Sequence, residues 1–202
     1  MIRVGSYVWF HDRTSPLAIM DLFSKCDIVL IQRFPLRHKK WFGSSRVIEN
    51  WHGHGTLTRG EGKIDVWELQ HNDVEPNLSQ GRYIPVLKTP QFNIVNCLTS
   101  YDIPGQKDQL EQVMQIAQEL EGPTVICGDM HYEDRFISKL YEKYQLKNYM
   151  KANTFTNPRG VRISLDKILT TNDVEIKNIQ VHQKQAHNRI EHYPFEFTIN
   201  VK

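Results

Sequence analysis

The sequence predicts an α+β fold, a four-layer α/β/β/α sandwich of two mainly antiparallel sheets, from three observations. Nine or ten segments carry strand patterning, against two or three with helical periodicity. Most consecutive strands lie close enough in the chain to pair as hairpins. The helical crossovers that an all-parallel sheet requires are few. With 202 residues, 40% of them hydrophobic and 24% charged, the chain is long enough to bury one substantial core. No Pro/Gly/Ser linker, low-complexity tract or repeat divides it, so one domain over residues 1–202 is expected.

The elements follow in order. Ile2 to Trp9 reads as a strand. Thr14-Ser15-Pro16 offers a hydroxyl N-cap and a proline at the first helical position, starting a helix that runs to about Lys25. Asp27 to Gln32 is a continuous apolar run of strand length, as for a strand covered on both faces. Arg33 to Gly62 is irregular and rich in Gly, His and basic residues, and is followed by strands over Ile64–Gln70, Arg82–Lys88 and Phe92–Thr99. Leu110, Val113, Met114, Ala117 and Leu120 recur at helical spacing up to the stop at Gly122-Pro123. Pro123 to Cys127 is a buried-type strand ending in Gly128-Asp129, and Glu133 to about Tyr144 is a helix with Phe136, Ile137, Leu140, Tyr141 and Tyr144 on one stripe. Strands over Arg162–Leu169, Val174–Val181 and Pro194–Val201 close the chain.

A net charge of +2 gives no global field toward nucleic acid or an acidic membrane, so any anion site is local. The longest apolar runs, Ile28–Ile31 and Thr124–Cys127, fall far short of the roughly 20 residues that span a bilayer. Met1-Ile2-Arg3-Val4-Gly5 lacks the pattern of a secretory signal, and a cytoplasmic monomer with no membrane association is expected. Cys26, Cys97 and Cys127 form no CxxC pair and sit in or beside apolar stretches, as core residues do.

Three segments can carry chemistry. Val125 to His131 is a buried strand that stops at a glycine and delivers Asp129 to a rim. There a carboxylate either works on a water or metal, or forms a turn that caps the next helix. Ser164 to Leu169 sets Asp166 among apolar residues, where a carboxylate needs a partner. Glu191-His192-Tyr193-Pro194 puts His192 at a strand entrance, where an Asp from a neighbouring strand can hold its ring; a satisfied structural histidine is the other reading.

In this order the segments resemble the endonuclease/exonuclease/phosphatase superfamily, whose DNase I-like members hydrolyse phosphate esters with a divalent metal. Gly128-Asp129-Met130-His131 is similar to the family's Gly-Asp-x-Asn, and Arg162 to Ile168 to its Arg-Ile-Asp strand. Ile190 to Pro194 resembles its Ser-Asp-His-x-Pro, and Thr154-Phe155-Thr156 its threonine-aromatic lead-in. Tyr101 to Gly105 resembles the Tyr-x-x-Pro turn of the apurinic endonuclease branch, and Asp27 to Gln32 the strand that ends in Gln-Glu.

The resemblance implies in-line attack of water on a phosphodiester. Asp129 would orient or deprotonate the water, His192 backed by Asp166 would neutralise phosphoryl oxygens, and Tyr101 would contact the phosphate. Arg33, His131, Lys39 and Arg162 would bind substrate, and Mg²⁺ or Mn²⁺ would stabilise the leaving oxygen. The sequence departs from this pattern at the metal. Arg33 stands where the family has its metal-binding Glu, and about Val8 where it has an Asn. A guanidinium repels a dication but can bind phosphate directly. His131 replaces an Asn and Glu191 an Asp, so a rewired ion would have to use Asp12, Glu49 or Glu191.

Two functions follow: an atypical metal-dependent phosphodiesterase acting on nucleic acid, DNA or RNA, or an inactive relative binding nucleic acid or a partner protein through the same groove. Arg33 to Phe42 mixes basic residues with aromatics, as suits a backbone and stacked bases, or simply forms a solvated loop. His52-Gly53-His54-Gly55 lacks further ligands at zinc spacing, and its glycines precede no phosphate-loop lysine.

Overall fold

The computed structural model describes residues 1–9, 16–33, 46–50, 54–58, 61–69, 83–99, 103–183 and 191–202. In chain order the first elements are β1 (Ile2–Val8), α1 (Pro16–Leu22), β2 (Ile28–Gln32), β3 (Arg46–Asn50) and β4 (His54–Thr58). Next come β5 (Lys63–Glu68), β6 (Tyr83–Lys88), β7 (Asn93–Leu98), α2 (Ile103–Glu119), β8 (Thr124–Asp129) and α3 (Asp134–Lys143). The last third holds β9 (Lys147–Asn148), β10 (Phe155–Thr156), β11 (Arg162–Ile163), β12 (Asp166–Thr170), β13 (Val174–Val181), β14 (Glu191–His192) and β15 (Phe195–Val201).

Two six-stranded sheets result, ordered β13-β15-β1-β2-β4-β3 and β5-β6-β7-β8-β12-β9, with a small β11-β10-β14 sheet beside them. Pairing is antiparallel except at β1/β2 and β7/β8, the two places where a helix, α1 or α2, joins neighbouring strands. The period-2 alternation of each strand then builds four layers. Val4, Leu30, Ile94, Val125, Cys127, Ile168, Phe195 and Phe197 pack between the sheets. Val95, Cys97 and Ile126 face the other way, against Leu110, Val113, Met114 and Ala117 of α2 and Ile137 and Leu140 of α3. Tyr7 and Ile31 pack against Ile19 and Phe23 on the α1 side. The expected sandwich is therefore present. The three cysteines are buried free thiols, and burial pushes that of Cys26 up to about 12. No helix among the described residues is long and apolar enough to cross a membrane.

Two segments differ from the expectation. The stretch read as irregular contains the β3/β4 hairpin, and β4 continues the first sheet through Ile28↔Thr58 to Gln32↔His54. Among its described side chains Thr56 and Thr58 are buried, and hydroxyls at these inward positions of β4 give no apolar alternation. The single strand expected over Arg162–Leu169 is two strands in different sheets, β11 and β12. Between them Thr154 Oγ1 accepts the backbone N–H groups of Leu165 (3.3 Å) and Asp166 (3.0 Å). Lys167, 0% exposed, donates through Nζ to the Ser164 carbonyl at 2.5 Å and to Ser164 Oγ at 3.2 Å, and its ammonium lies 3.2 Å from Asp134 Oδ1. A side-chain hydroxyl and a buried ammonium thus satisfy the backbone where the chain changes sheets.

Candidate active site

The strand ends deliver polar groups to one end of the sandwich. Gln32, last in β2, donates through Nε2 to Asn96 Oδ1 (2.7 Å) and to Ser6 Oγ (3.4 Å), and Asn96 Nδ2 donates to Thr56 Oγ1 (3.2 Å). This buried chain ties the two sheets together, β1, β2 and β4 on one side and β7 on the other. Beside it β8 ends in Asp129, and antiparallel pairing sets Asp166 of β12 directly opposite. In the small sheet Phe155 is opposite His192, with ring centroids 4.7 Å apart.

These registers bring three of the expected residues into contact. His192 Nδ1 is 2.9 Å from Asp166 Oδ2, an arrangement that fixes the ring with Nε2 turned toward Asp129 Oδ2, 3.4 Å away. His131 Nε2 lies 3.0 Å from the same oxygen, and the His131 backbone N–H donates to Asp129 Oδ1 at 2.9 Å. Oδ2 has these two imidazole contacts but no aligned hydrogen bond among the described residues. Asp129 is 0% exposed. His131 and Arg33 both adopt left-handed backbone, at φ 55° and 57°, strain of a kind that gathers at functional sites.

Above these groups opens a cleft of about 770 Å³. Arg33, His131 and His192 line it together with the aromatic and aliphatic surface of Tyr132, Phe136, Phe155, Pro158, Ile163 and Leu165, and with two further polar side chains, Glu133 and Asn157. Phe136 is 61% exposed, and the Arg135 guanidinium lies 4.6 Å from its ring centroid.

Burial pushes the Asp129 carboxyl up, but His131, His192, the His131 N–H and Arg33 together bring it below the ordinary carboxylate value. Burial likewise pulls His192 down, and Asp166 and Asp129 outweigh it to lift the imidazole above 6.5. Burial wins at His131, which is lowered and neutral at pH 7. The working state, Asp129 ionised and His192 protonated, therefore spans from within the acid range to beyond the usual imidazole pKa. The stability linkage has matching signs. The His192 contribution is complete below the unfolded imidazole value and is lost as pH rises through the raised folded value. That of Asp129 is complete above the unfolded carboxylate value and is lost as pH falls through the lowered one. Unfolding free energy in His192→Gln is expected to lose the alkaline part of this dependence; a wild-type-like pH profile in that variant would contradict the assignment.

The structure thus brings together Asp129, Asp166, His192, His131 and Arg33. Arg162 is exposed on β11, bonded through Nη1 to Gln183 Oε1 at 3.2 Å, and is not among the cleft-lining residues. Tyr101, Lys39 and Asp12 lie outside the described residues, as do the side chains of Glu191 and Glu49. Lys167, which with Thr154 holds the Asp166 strand in place, was given no role in the sequence reading, although a lysine inside the apolar run Leu165–Leu169 was the available signal; Thr154 figured there only in the threonine-aromatic lead-in.

Among the described residues the donor set does not suit Mg²⁺ or Mn²⁺. Hard cations take several oxygen ligands, whereas no three His, Cys, Asp or Glu side chains among the described residues form a group able to hold a metal. Asp129 Oδ2 is faced by two imidazoles instead, and the Arg33 charge also acts on this carboxylate.

No protein-family model matches the chain, and no curated protein matches it in sequence. Solved structures do match its fold. It is similar to an endonuclease/exonuclease/phosphatase from Bacteroides vulgatus at TM-score 0.72 and 14% identity, covering 100% of this chain and 99% of that one. An AP endonuclease from Archaeoglobus fulgidus matches at TM-score 0.67 and 16% identity, with 100% of each chain covered. The 3′ phosphatase NExo from Neisseria, solved with a product DNA hairpin, matches at TM-score 0.65 and 13% identity, covering 99% of this chain and 100% of that one. The fold is therefore that of the endonuclease/exonuclease/phosphatase proteins, the DNase I-like sandwich of the sequence expectation.

Proposed function

We propose that this chain is a one-domain member of that superfamily which takes nucleic-acid phosphodiesters into the cleft and hydrolyses them. The observation that carries the reading is His192, which lines the cleft with Arg33 and His131, is held by Asp166 at 2.9 Å and has the buried Asp129 Oδ2 at 3.4 Å behind it. A DNA hairpin in a similarly folded phosphatase supports nucleic acid as the source of the phosphate.

In the proposed step a water oxygen bonds to phosphorus while its proton passes to Asp129 Oδ2. The ester P–O bond breaks, and the leaving oxygen departs with the bonding pair and takes a proton from solvent. Protonated His192 neutralises a non-bridging oxygen as charge builds there, and Asp166 is the positioning residue behind it. The mechanism routes no step through a metal.

A second reading, phosphate binding without turnover, is favoured by one observation: the positive groups around Asp129 lower its basicity, which weakens it as a general base. Cleavage of labelled single- and double-stranded DNA and RNA, with Mg²⁺, Mn²⁺ or EDTA, separates the two. The expected result is wild-type cleavage that His192→Ala reduces by about 10²- to 10⁴-fold. Retained oligonucleotide binding with no cleavage in any condition selects the second reading. Cleavage unchanged in His192→Ala overturns the site.

A further inference from the structure

We infer that Arg33 serves as the resident cation of this cleft, so that phosphate is held there by a guanidinium and its binding does not depend on a divalent ion. The inference rests on the phosphodiester site proposed above and names how that site meets charge.

Four observations carry it. Gln32, the residue before Arg33, is buried and anchored to Asn96 and Ser6, so the point at which the chain leaves β2 is fixed. Arg33 then takes a left-handed turn, φ 57°, which an arginine adopts only at a cost, and its side chain lines the cleft together with His131 and His192. The positive charge of Arg33 acts on Asp129, the buried carboxylate behind His131 and His192. Finally, Asp166 is engaged by His192, and neither it nor Asp129 is among the cleft-lining residues, where Glu133 is the one carboxylate among the described residues.

A dication entering here would meet like charge at Arg33, imidazole at His131 and His192 and a single lining carboxylate, Glu133, a poor environment for an ion that takes several oxygen ligands. A phosphodiester meets the opposite situation. The planar guanidinium offers a fork of N–H donors to two phosphate oxygens, and His192 Nε2 offers a third donor. The two arrangements predict opposite responses to chelation, which makes the inference testable by binding alone.

The experiment is fluorescence anisotropy of a labelled single-stranded oligonucleotide with the full chain, at constant ionic strength, in Mg²⁺, in Mn²⁺ and in EDTA. Constant ionic strength matters because phosphate contacts weaken with salt of any kind. Wild-type Kd is expected to vary by less than about twofold across the three conditions, and Arg33→Gln to raise it about tenfold in all of them. Arg33→Lys, which keeps the charge and loses the fork, is expected to fall between. Circular dichroism of each variant confirms that it folds.

Wild-type binding that collapses in EDTA while Arg33→Gln binds normally in Mg²⁺ overturns the inference and leaves the proposed phosphodiester site standing. Binding indifferent to both Arg33→Gln and His192→Ala, or no oligonucleotide binding by wild type, overturns that site and the inference with it.

Discussion

Asp129→Asn is expected to reduce phosphodiester cleavage about a thousandfold while leaving the fold and the affinity for oligonucleotide nearly unchanged. The substitution removes the oxygen proposed to accept the proton, Oδ2, and keeps an acceptor at Oδ1 for the His131 N–H that closes the turn at 2.9 Å. Affinity is expected to hold because phosphate meets Arg33 and His192, not the carboxylate; removing the buried negative charge lowers the His192 pKa somewhat, while Asp166 still holds it up. The loss therefore falls on kcat. The measurement is single-turnover cleavage beside an equilibrium binding curve. A rate within about threefold of wild type would remove Asp129 from the role of base, and a rate loss explained wholly by weaker binding would make it a binding residue.

Gly128→Ala is expected to destabilise the protein by about 3 to 5 kcal/mol, the range that a backbone clash in a core strand produces. Gly128 adopts φ 136°, and a Cβ built on it lies 2.0 Å from the Cys97 carbonyl oxygen of the neighbouring strand and 3.0 Å from Gln32 Nε2. The obstacle is backbone, which cannot rotate aside, on β7 where Cys97 pairs with Gly128. Gly160→Ala is the control, since Gly160 has φ 77° but open space around a Cβ. Only the conformational cost of about 1 kcal/mol is expected there. Denaturant midpoints for the two variants check the contrast, and equal losses would mean that the close approach at Gly128 is not what requires glycine.

The sequence made the site legible because its parts lie on strands with strong signatures. Thr124–Cys127 is apolar and β-branched and ends in Gly-Asp, so both the strand and the delivery of Asp129 were readable. Asp166 declared itself by being a carboxylate among apolar residues, and the partner it needed proved to be His192. The β3/β4 hairpin was hidden because the buried positions described on β4 are threonines, whose hydroxyls carry no apolar pattern, and that of Thr56 accepts the sheet-to-sheet hydrogen bond from Asn96. The break between β11 and β12 was hidden for a related reason. Residues 162–169 alternate like one strand, and what divides them is Thr154, distant in the chain, accepting two backbone N–H groups. Local pattern encodes which face a residue takes; it does not encode a change of sheet imposed by a non-local hydroxyl. Arg33 lay between these cases. Its departure from the resembling pattern was visible in the sequence, and its place in the cleft with His131 and His192 came from the structure.

The central claim is that Asp129, His192 and their basic neighbours form a phosphate site. Its most direct test is an NMR titration of ¹⁵N-labelled histidine rings with a short single-stranded oligonucleotide. The account predicts shifts at His131 and His192, a further rise in the His192 pKa as phosphate charge approaches Nε2, and no change at His182, which contacts Glu196 and is not among the cleft-lining residues. Oligonucleotide binding that leaves His131 and His192 unmoved would contradict it.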